Sequence, residues 1–556
     1  MFATFRQSMA WLHTWFGLVL GFVLIVVFFF GALSVFDREI DRWSIPASRF
    51  EPRPLPSFDA MLRPVFERIV PDADDVEAAR SRVEGPLSTD LPVMDYSVYT
   101  THRDPVITLY KSFGLPNAHD PEDHIHGHVT LDPRSGAEIS EQARPLGSDF
   151  FYPLHYSLHL EWQNLGYWIV GLASLTMLAA LVSGVVIHRR LFRELFTFRP
   201  QKQTQRSVLD LHNLTGVVAL PFHFLFALTG LVIFAGIYFP AGSTLLKPMH
   251  DAHEREESLH TGLPLKPAGV AAPLGSVDAM VTEAQRRWAA RDMAGEVGYL
   301  FVNHIGDSSA TVSLYRAGTD RVTLTGEGIH FDGVSGAVIR EDPPFNAVGG
   351  INNFLTGLHL QHFRHWTLRW LYFVGGLAGC ACIATGFLFF ARKRREQHLA
   401  RGIGGARWVD ALSIATVTGT LIATASLLSG NRLLPEELAD RAFWEEATFW
   451  CAWLAALAHA TLRVFTTARG AARAWREQCW AVAVLAVTAV VANAATTGDH
   501  LVATISRGYW PVAGVDLVLL VAALIAARTA LKLRRRATTS QEVPARGLRP
   551  SGAARA

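Results

Sequence analysis

The 556-residue chain is half hydrophobic and only 18% charged, against about 25% charged in an average soluble domain, and Phe (34) outnumbers Tyr (11) three to one. Its 51 basic and 49 acidic residues nearly cancel to +2, without the clustered basic excess that a nucleic-acid partner requires. Disorder, a collagen-like repeat and a disulfide-stapled secreted scaffold are excluded, and an all-α integral membrane protein carrying small α+β modules outside the bilayer is expected.

A membrane-crossing helix needs about 20 mainly apolar residues. Eight runs qualify, near 10–36, 164–188, 208–238, 366–391, 408–429, 446–465, 476–496 and 509–531. The first is apolar from Trp15 to Phe36 with no small-residue cleavage site, so it reads as a retained span and not as a signal peptide. The domain organisation follows. Span one occupies 1–36, and an outer segment 37–163. Spans two and three lie in 164–238 around an inner loop at 189–207, and a second outer segment covers 239–358. Span four lies in 359–395, a linker at 396–407, spans five to eight in 408–531, and a basic tail at 532–556.

Orientation is set by Lys and Arg in short loops. Arg189, Arg190, Arg193, Arg199, Lys202 and Arg206 crowd one loop, and Arg392, Lys393, Arg394, Arg395, Arg401 and Arg407 another. The 430–443 loop sets Arg432 and Arg441 against Glu436, Glu437 and Asp440. Both termini are therefore expected inside and the two long segments outside. Each long segment holds a similar stretch, His128–Ile139 in one and Gly328–Ile339 in the other, with a Ser-Gly turn between two short strands. This is a weak internal repeat of a hairpin.

Histidine is the unusual residue, with 22 copies, many at span ends. Ionisable groups inside a membrane are functional candidates, and helical rise converts sequence offset to depth. His13 falls roughly 10 Å above Arg6 and His212 about 9 Å above Arg206, so the two share a depth on spans one and three. His223 follows His212 on the same helix face, ~16 Å along. His155 and His159 precede span two at i, i+4 spacing, and His359 and His362 precede span four at i, i+3. Along straight helices His159 and His362 both come out ~45 Å above the inner arginines. His188, beside Arg189, and also His365 and His398 equally suit helix capping. Facing helices of a four-helix bundle hold haem through side chains, and imidazole is a common axial ligand. Two histidine layers on spans one to four therefore suit two stacked haems. The inner pair is His13 with His212, and the outer is His159 with His359. His223 stands as an outer ligand instead, as a stepping point, or as a core histidine bonded to a carbonyl.

Several stretches resemble the PepSY-associated transmembrane helix family, and within it the iron-regulated membrane proteins that include FoxB-type siderophore reductases. They are Ser8–Gly17, Leu154–Leu160, Val182–Arg190, Leu209–Gly216, Leu220–His223, Leu228–Gly230, Gly357–His359, Gly375–Gly379 and Ala384–Gly386. The likeness covers about residues 1–395. It implies PepSY-like outer modules, best carried by Asp332–Gly336, and haem b, two per chain, in a four-helix core. The matching histidines are His13, His155, His159, His188, His212, His223 and His359, while His362 departs from the pattern. It further implies a bacterial inner-membrane oxidoreductase with periplasmic modules and cytoplasmic termini. Such an enzyme reduces ferric siderophores from Fe(III) to Fe(II) on the periplasmic side.

No dinucleotide or Walker A motif is present, so the electron donor is expected to be a membrane quinol or a separate cytoplasmic protein. Extended backbone would put His124, His126 and His128 on one face, where imidazoles suit Zn, Cu or Ni, although Gly127 and the acidic flank also suit a surface loop. Cys380 and Cys382 lie inside span four, where small residues commonly serve helix packing. Two other functions fit the same sequence: a siderophore or metal transporter, and a non-enzymatic PepSY-type regulator of a periplasmic partner.

Overall fold

The computed structural model describes residues 4–51, 53–80, 82–88, 90–100, 105–118, 123–139, 145–188, 204–239, 262–318, 320–323, 327–402, 404–467 and 469–539. The expected Arg189, Arg190, Arg193, Arg199 and Lys202 cluster lies outside them.

The chain is a mostly helical, multi-pass membrane protein with one antiparallel sheet. Among the described residues six helices are long and apolar enough to cross a bilayer: Trp162–Ile187, Trp366–Arg395, Gly405–Leu433, Arg441–Thr466, Gly470–Thr497 and Trp510–Arg534. Two further spans are broken pairs, Phe5–Val19 with Gly21–Ser34 and Arg206–Val218 with Leu220–Ile233, so the count is eight when each pair is one span. The first pair bends by 62° at Leu20, with Gly17 and Gly21 either side of the break. The second breaks at Ala219, just ahead of Pro221. Proline has no N–H to donate and its ring crowds the carbonyl one turn back.

The fold divides into two compact units. One comprises Met1–Gly31, Ala179–Leu220 and Gly376–Ala556, and the other Ala32–Leu178 and Pro221–Gly375. In the first, helix Gly405–Leu433 is the most enclosed. Val409 joins Ile25, Phe387 and Ala391 in one apolar cluster. Ala411 and Ile414 join Ala460, Val464 and Ala474 in another. His398 has the capping role that suited it: its Nδ1 accepts the Ala406 N–H at 3.0 Å, in the first turn of the next helix.

The second unit corrects the picture of two separate outer modules. Strands from both long segments form one seven-stranded sheet: β1 Val93–Tyr99, β2 Ile107–Gly114, β3 His124–Leu131, β4 Val297–Asn303, β5 Thr311–Arg316, β6 Gly328–Asp332 and β7 Val338–Glu341. Their order is β3-β2-β1-β4-β5-β6-β7. The seam is antiparallel β1–β4 pairing, with Tyr99 opposite Tyr299. The repeated stretches make matching turns: Gly136 N–H bonds to Asp132 O at 2.8 Å and Gly336 N–H to Asp332 O at 2.9 Å. One face packs on helices Phe58–Leu62, Arg63–Arg68 and Val277–Ala289 around Phe58, Phe66, Val98, Leu109, Trp288, Leu300 and Leu314. The other carries a row of rings, Tyr110, Tyr99, Tyr299 and Tyr315, with neighbouring centroids 4.6–5.9 Å apart.

The two helices under the sheet start alike. Ser57 and Ser276 are their N-caps, accepting the Ala60 and Ala279 N–H at 3.0 and 3.2 Å. Each helix also lends an acid to the other: Asp278 accepts from Ser57 Oγ (2.5 Å) and Phe58 N–H (2.6 Å), and Asp59 from Ser276 Oγ (2.8 Å) and the Asp278 N–H (3.2 Å).

Candidate functional site

Two histidine pairs stand out, one in each unit. In the first unit the His13 and His212 rings lie 6.2 Å apart, centroid to centroid, at 82°. His13 Nδ1–H donates to Ala180 O at 2.9 Å, with Ser183 Oγ 3.3 Å away. His212 Nδ1–H donates to Cys382 O at 2.7 Å. A proton held on Nδ1 by a carbonyl leaves Nε2 as the lone-pair nitrogen, the tautomer a metal-ligating imidazole uses.

In the second unit His155 and His359 lie 5.9 Å apart at 28°. Thr229 Oγ1 donates to Leu225 O at 2.6 Å, so it accepts from His359 Nδ1–H at 2.7 Å. His359 therefore has the same tautomer as His13 and His212.

This corrects the expected outer pairing of His159 with His359. Helix Tyr152–Tyr156 ends at Ser157, and Leu158 and His159 both take left-handed backbone at φ 55°. The i, i+4 relation between His155 and His159 is thereby lost. His159 turns onto Phe150, with ring centroids 4.9 Å apart, and its Nε2–H donates to the Phe150 carbonyl at 2.9 Å. His362 is separated from His359 in the same way. Helix Ala347–Leu360 stops at left-handed Gln361 (φ 57°), and His362 is exposed in the following loop. His223 is fully buried and its Nε2–H donates to Gly375 O at 3.3 Å, the core-histidine geometry among the roles weighed for it. His188 follows the last residue of helix Leu165–Ile187, its backbone N–H bonded to Gly184 O at 3.1 Å.

Three hydroxyl-glycine steps on the spans accompany these rings, a signal the sequence carries in plain view. A Cβ on Gly184 would stand 3.3 Å from His13 Cε1, one on Gly386 3.4 Å from His212 Cε1, and one on Gly230 3.2 Å from His359 Cε1. The preceding residue in each case is Ser183, Thr385 or Thr229. Ser183 and Thr229 face Nδ1 of their histidines, and Thr385 Oγ1 donates at 2.8 Å to the Cys382 carbonyl that holds His212. Cys382 thus contributes its carbonyl to the site, and its Sγ lies 3.6 Å from His212 Nδ1.

The strand expected at His124–His128 is present as β3, with the three histidines on one face. His124 and His126 have ring centroids 4.9 Å apart. His126 Nδ1 lies 3.6 Å from Asp75, and His128 Nδ1 bonds to Asp72 at 2.5 Å. Among the described residues no three His, Cys, Asp or Glu side chains are grouped to hold a metal ion. Gly127 is not a loop glycine: a Cβ there would stand 2.0 Å from the Val70 carbonyl, where the chain crosses the strand.

Comparison with known proteins agrees with this helical core. The family model described as the PepSY-associated TM region matches residues 10–393. An uncharacterized protein of Pseudomonas aeruginosa is 27% identical over 401 residues, covering 69% of this chain and 94% of its own.

Proposed function

For this chain, which belongs to the PepSY-associated TM region family, we propose a di-haem b electron conduit that reduces ferric siderophores on the outer side of a bacterial inner membrane. His13 and His212 would hold one haem and His155 and His359 the other. The ring spacings carry the reading. Imidazole nitrogens bind a metal at about 2 Å, so two imidazoles that would share one metal would have centroids within about 6 Å, and the two pairs stand at 6.2 and 5.9 Å.

The residues around each pair do the positioning. Ala180, Cys382 and Thr229 keep a proton on Nδ1 of His13, His212 and His359 and leave Nε2 as the nitrogen with the lone pair. Gly184, Gly386 and Gly230 admit the rings close to the neighbouring helix. Such outer contacts orient the ligands and raise their basicity. Bound there, haem would supply one-electron chemistry, its potential set by ligation and burial. One electron per iron converts Fe(III) to Fe(II) in the chelate, and the weaker affinity of oxygen chelators for Fe(II) releases the metal. The donor is a membrane quinol or a separate cytoplasmic protein.

The deciding experiment is a reduced-minus-oxidised spectrum of the purified protein with pyridine haemochrome quantification. Two haems b per chain, reoxidised by a ferric siderophore, are expected. Protein from a haem-replete host that carries none would end this reading.

A further inference from the structure

Spans five to seven carry a polar network that the haem ligands do not use. His459 and Arg463 stand on helix Arg441–Thr466 and Glu477 on helix Gly470–Thr497. Glu477 Oε2 accepts from His459 Nε2–H and from Arg463 Nε–H, both at 2.9 Å. We propose that Glu477 and His459 form the donor site of the conduit, where a membrane quinol bonds one hydroxyl to the Glu477 carboxylate and gives up its proton there. This inference rests on the reductase reading above.

Depth and access come first. His459 lies seven residues before the end of its helix, and Glu477 seven after the start of its own, roughly 10 Å in from the ends. Ionisable groups on membrane-crossing helices are functional candidates. The two side chains keep 33% and 30% of their surface open, so a lipid-soluble reactant reaches them from the side. Ala455, one turn from His459 on the same face, is small and exposed.

A third helix decides which group is the base. Thr418, on helix Gly405–Leu433, donates to Gln478 Oε1 at 2.6 Å. The Gln478 amide nitrogen donates to Ala456 O at 2.7 Å and faces His459 Nδ1 at 3.3 Å. Thr418 and Ala456 together fix the amide, so Nδ1 is an acceptor and the ring proton sits on Nε2, toward Glu477. A second ring proton would point at the amide N–H. The carboxylate, and not the imidazole, therefore takes the proton. Both bonds to the chain fall on Oε2, and Oε1 is the oxygen offered to a hydroxyl.

The network also leads toward the inner pair. Val417, beside Thr418, packs with Phe387 in one apolar cluster. Phe387 follows Gly386, which stands against His212. Helix Gly405–Leu433 thus lies between Gln478 and the span that holds His212. A quinol becomes a quinone by losing two electrons and two protons. The electrons leave singly, to ferric haem at the His13–His212 pair, and two Fe(III) chelates become Fe(II). One hydroxyl proton passes to Glu477, and the other to water at the helix ends.

The test uses decylubiquinol and the full-length protein in detergent, without oxygen. Binding is measured by calorimetry in the paired variant His13→Ala with His212→Ala, its remaining haem reduced beforehand so that the quinol is not consumed. Binding is expected, weakened about tenfold by Glu477→Gln, the loss of one charge-assisted bond. Ala455→Trp narrows the opening, leaves Glu477 in place and should weaken binding as well. With all four haem histidines present, Glu477→Gln should slow haem reduction by decylubiquinol about a hundredfold. Haem content and reduction by dithionite should stay as they were. No binding, or an unchanged affinity or rate in Glu477→Gln, would overturn the proposal and leave the trio as a clasp between two helices. The two claims fail separately. A protein without haem that still binds quinol through Glu477 would end the conduit and keep the quinol site. A haem protein that neither binds quinol nor is reduced by it would end this site alone.

Discussion

Asp59 and Asp278 each cap the helix that carries the other. The exchange joins two segments that sequence places more than two hundred residues apart, and it repeats on both sides of the β1–β4 seam. Helix N-termini attract negative charge because their first N–H groups lack partners within the helix, so both carboxylates serve best when ionised.

A pH dependence follows. Burial raises the Asp59 carboxyl, but the Ser276 hydroxyl, the Asp278 and Val277 N–H groups and the Arg63 guanidinium outweigh it and hold the group below its ordinary value. A depressed folded-state pKa means that the stabilisation is complete above the unfolded value, about 4, and fades as pH falls through the lower folded value. The protection factors of the 276–289 amides, exchange rates corrected for the intrinsic pH dependence, should therefore fall on acidification. Asp59→Asn should exchange faster already at neutral pH and lose most of that acid response. An unchanged profile in the variant would remove the capping role.

The ligand assignment separates neighbouring histidines. His155→Ala and His359→Ala should each lower haem content from two toward one, as should His13→Ala and His212→Ala, measured by pyridine haemochrome. His159→Ala should retain both haems, since its Nε2 is bonded to the Phe150 carbonyl. Haem loss with His159→Ala and retention with His155→Ala would reverse the outer pair.

Gly386→Val tests the space beside a ring. The added side chain starts 3.4 Å from His212 Cε1, and its methyls must push the imidazole or separate the helices. Overpacking of this kind typically costs about 1–3 kcal/mol. The expected result is lowered haem occupancy with the protein still folded, seen as a reduced Soret absorbance per protein. Gly386→Ala, with near-ordinary contact, should be mild.

Arg369 is a buried cation of the second unit. Its side chain is 2% exposed and Glu39's 8%, at 2.6 Å, and it also donates to Val35 O. Removing one member of a buried pair strands the other charge at a cost of about 3–5 kcal/mol. Arg369→Met should markedly lower the midpoint of thermal unfolding in detergent. The double variant with Glu39→Gln should recover much of the loss. Equal midpoints for all three proteins would show that the pair contributes nothing.

The sequence disclosed some of this architecture and concealed the rest for physical reasons. Spans were legible because hydrocarbon thickness demands long apolar runs. His13 and His212 could be matched because each follows an arginine, Arg6 and Arg206, on a helix without interruption between them. The outer histidines could not be placed by helical rise, since Leu158, His159 and Gln361 adopt left-handed backbone with neither glycine nor proline to mark the breaks. Both hairpins were readable from local turn chemistry. Their union in one sheet was not, because strand pairing between distant segments leaves no periodic trace. The Ser-Gly and Thr-Gly steps beside the histidines were visible as residues, but only the packed helices show what they face.

The β1–β4 seam also has a consequence for synthesis. Tyr99 meets Tyr299 two hundred residues later, with helices Leu165–Ile187, Thr204–Val218 and Leu220–Ile233 in between. A ribosome therefore delivers β1, β2 and β3 long before β1 has its second neighbour. During that interval one strand edge is open to the wrong partners. The interval ends only once the intervening helices have been made, so any defect that slows their insertion should first appear as protease-sensitive or aggregated half-sheet.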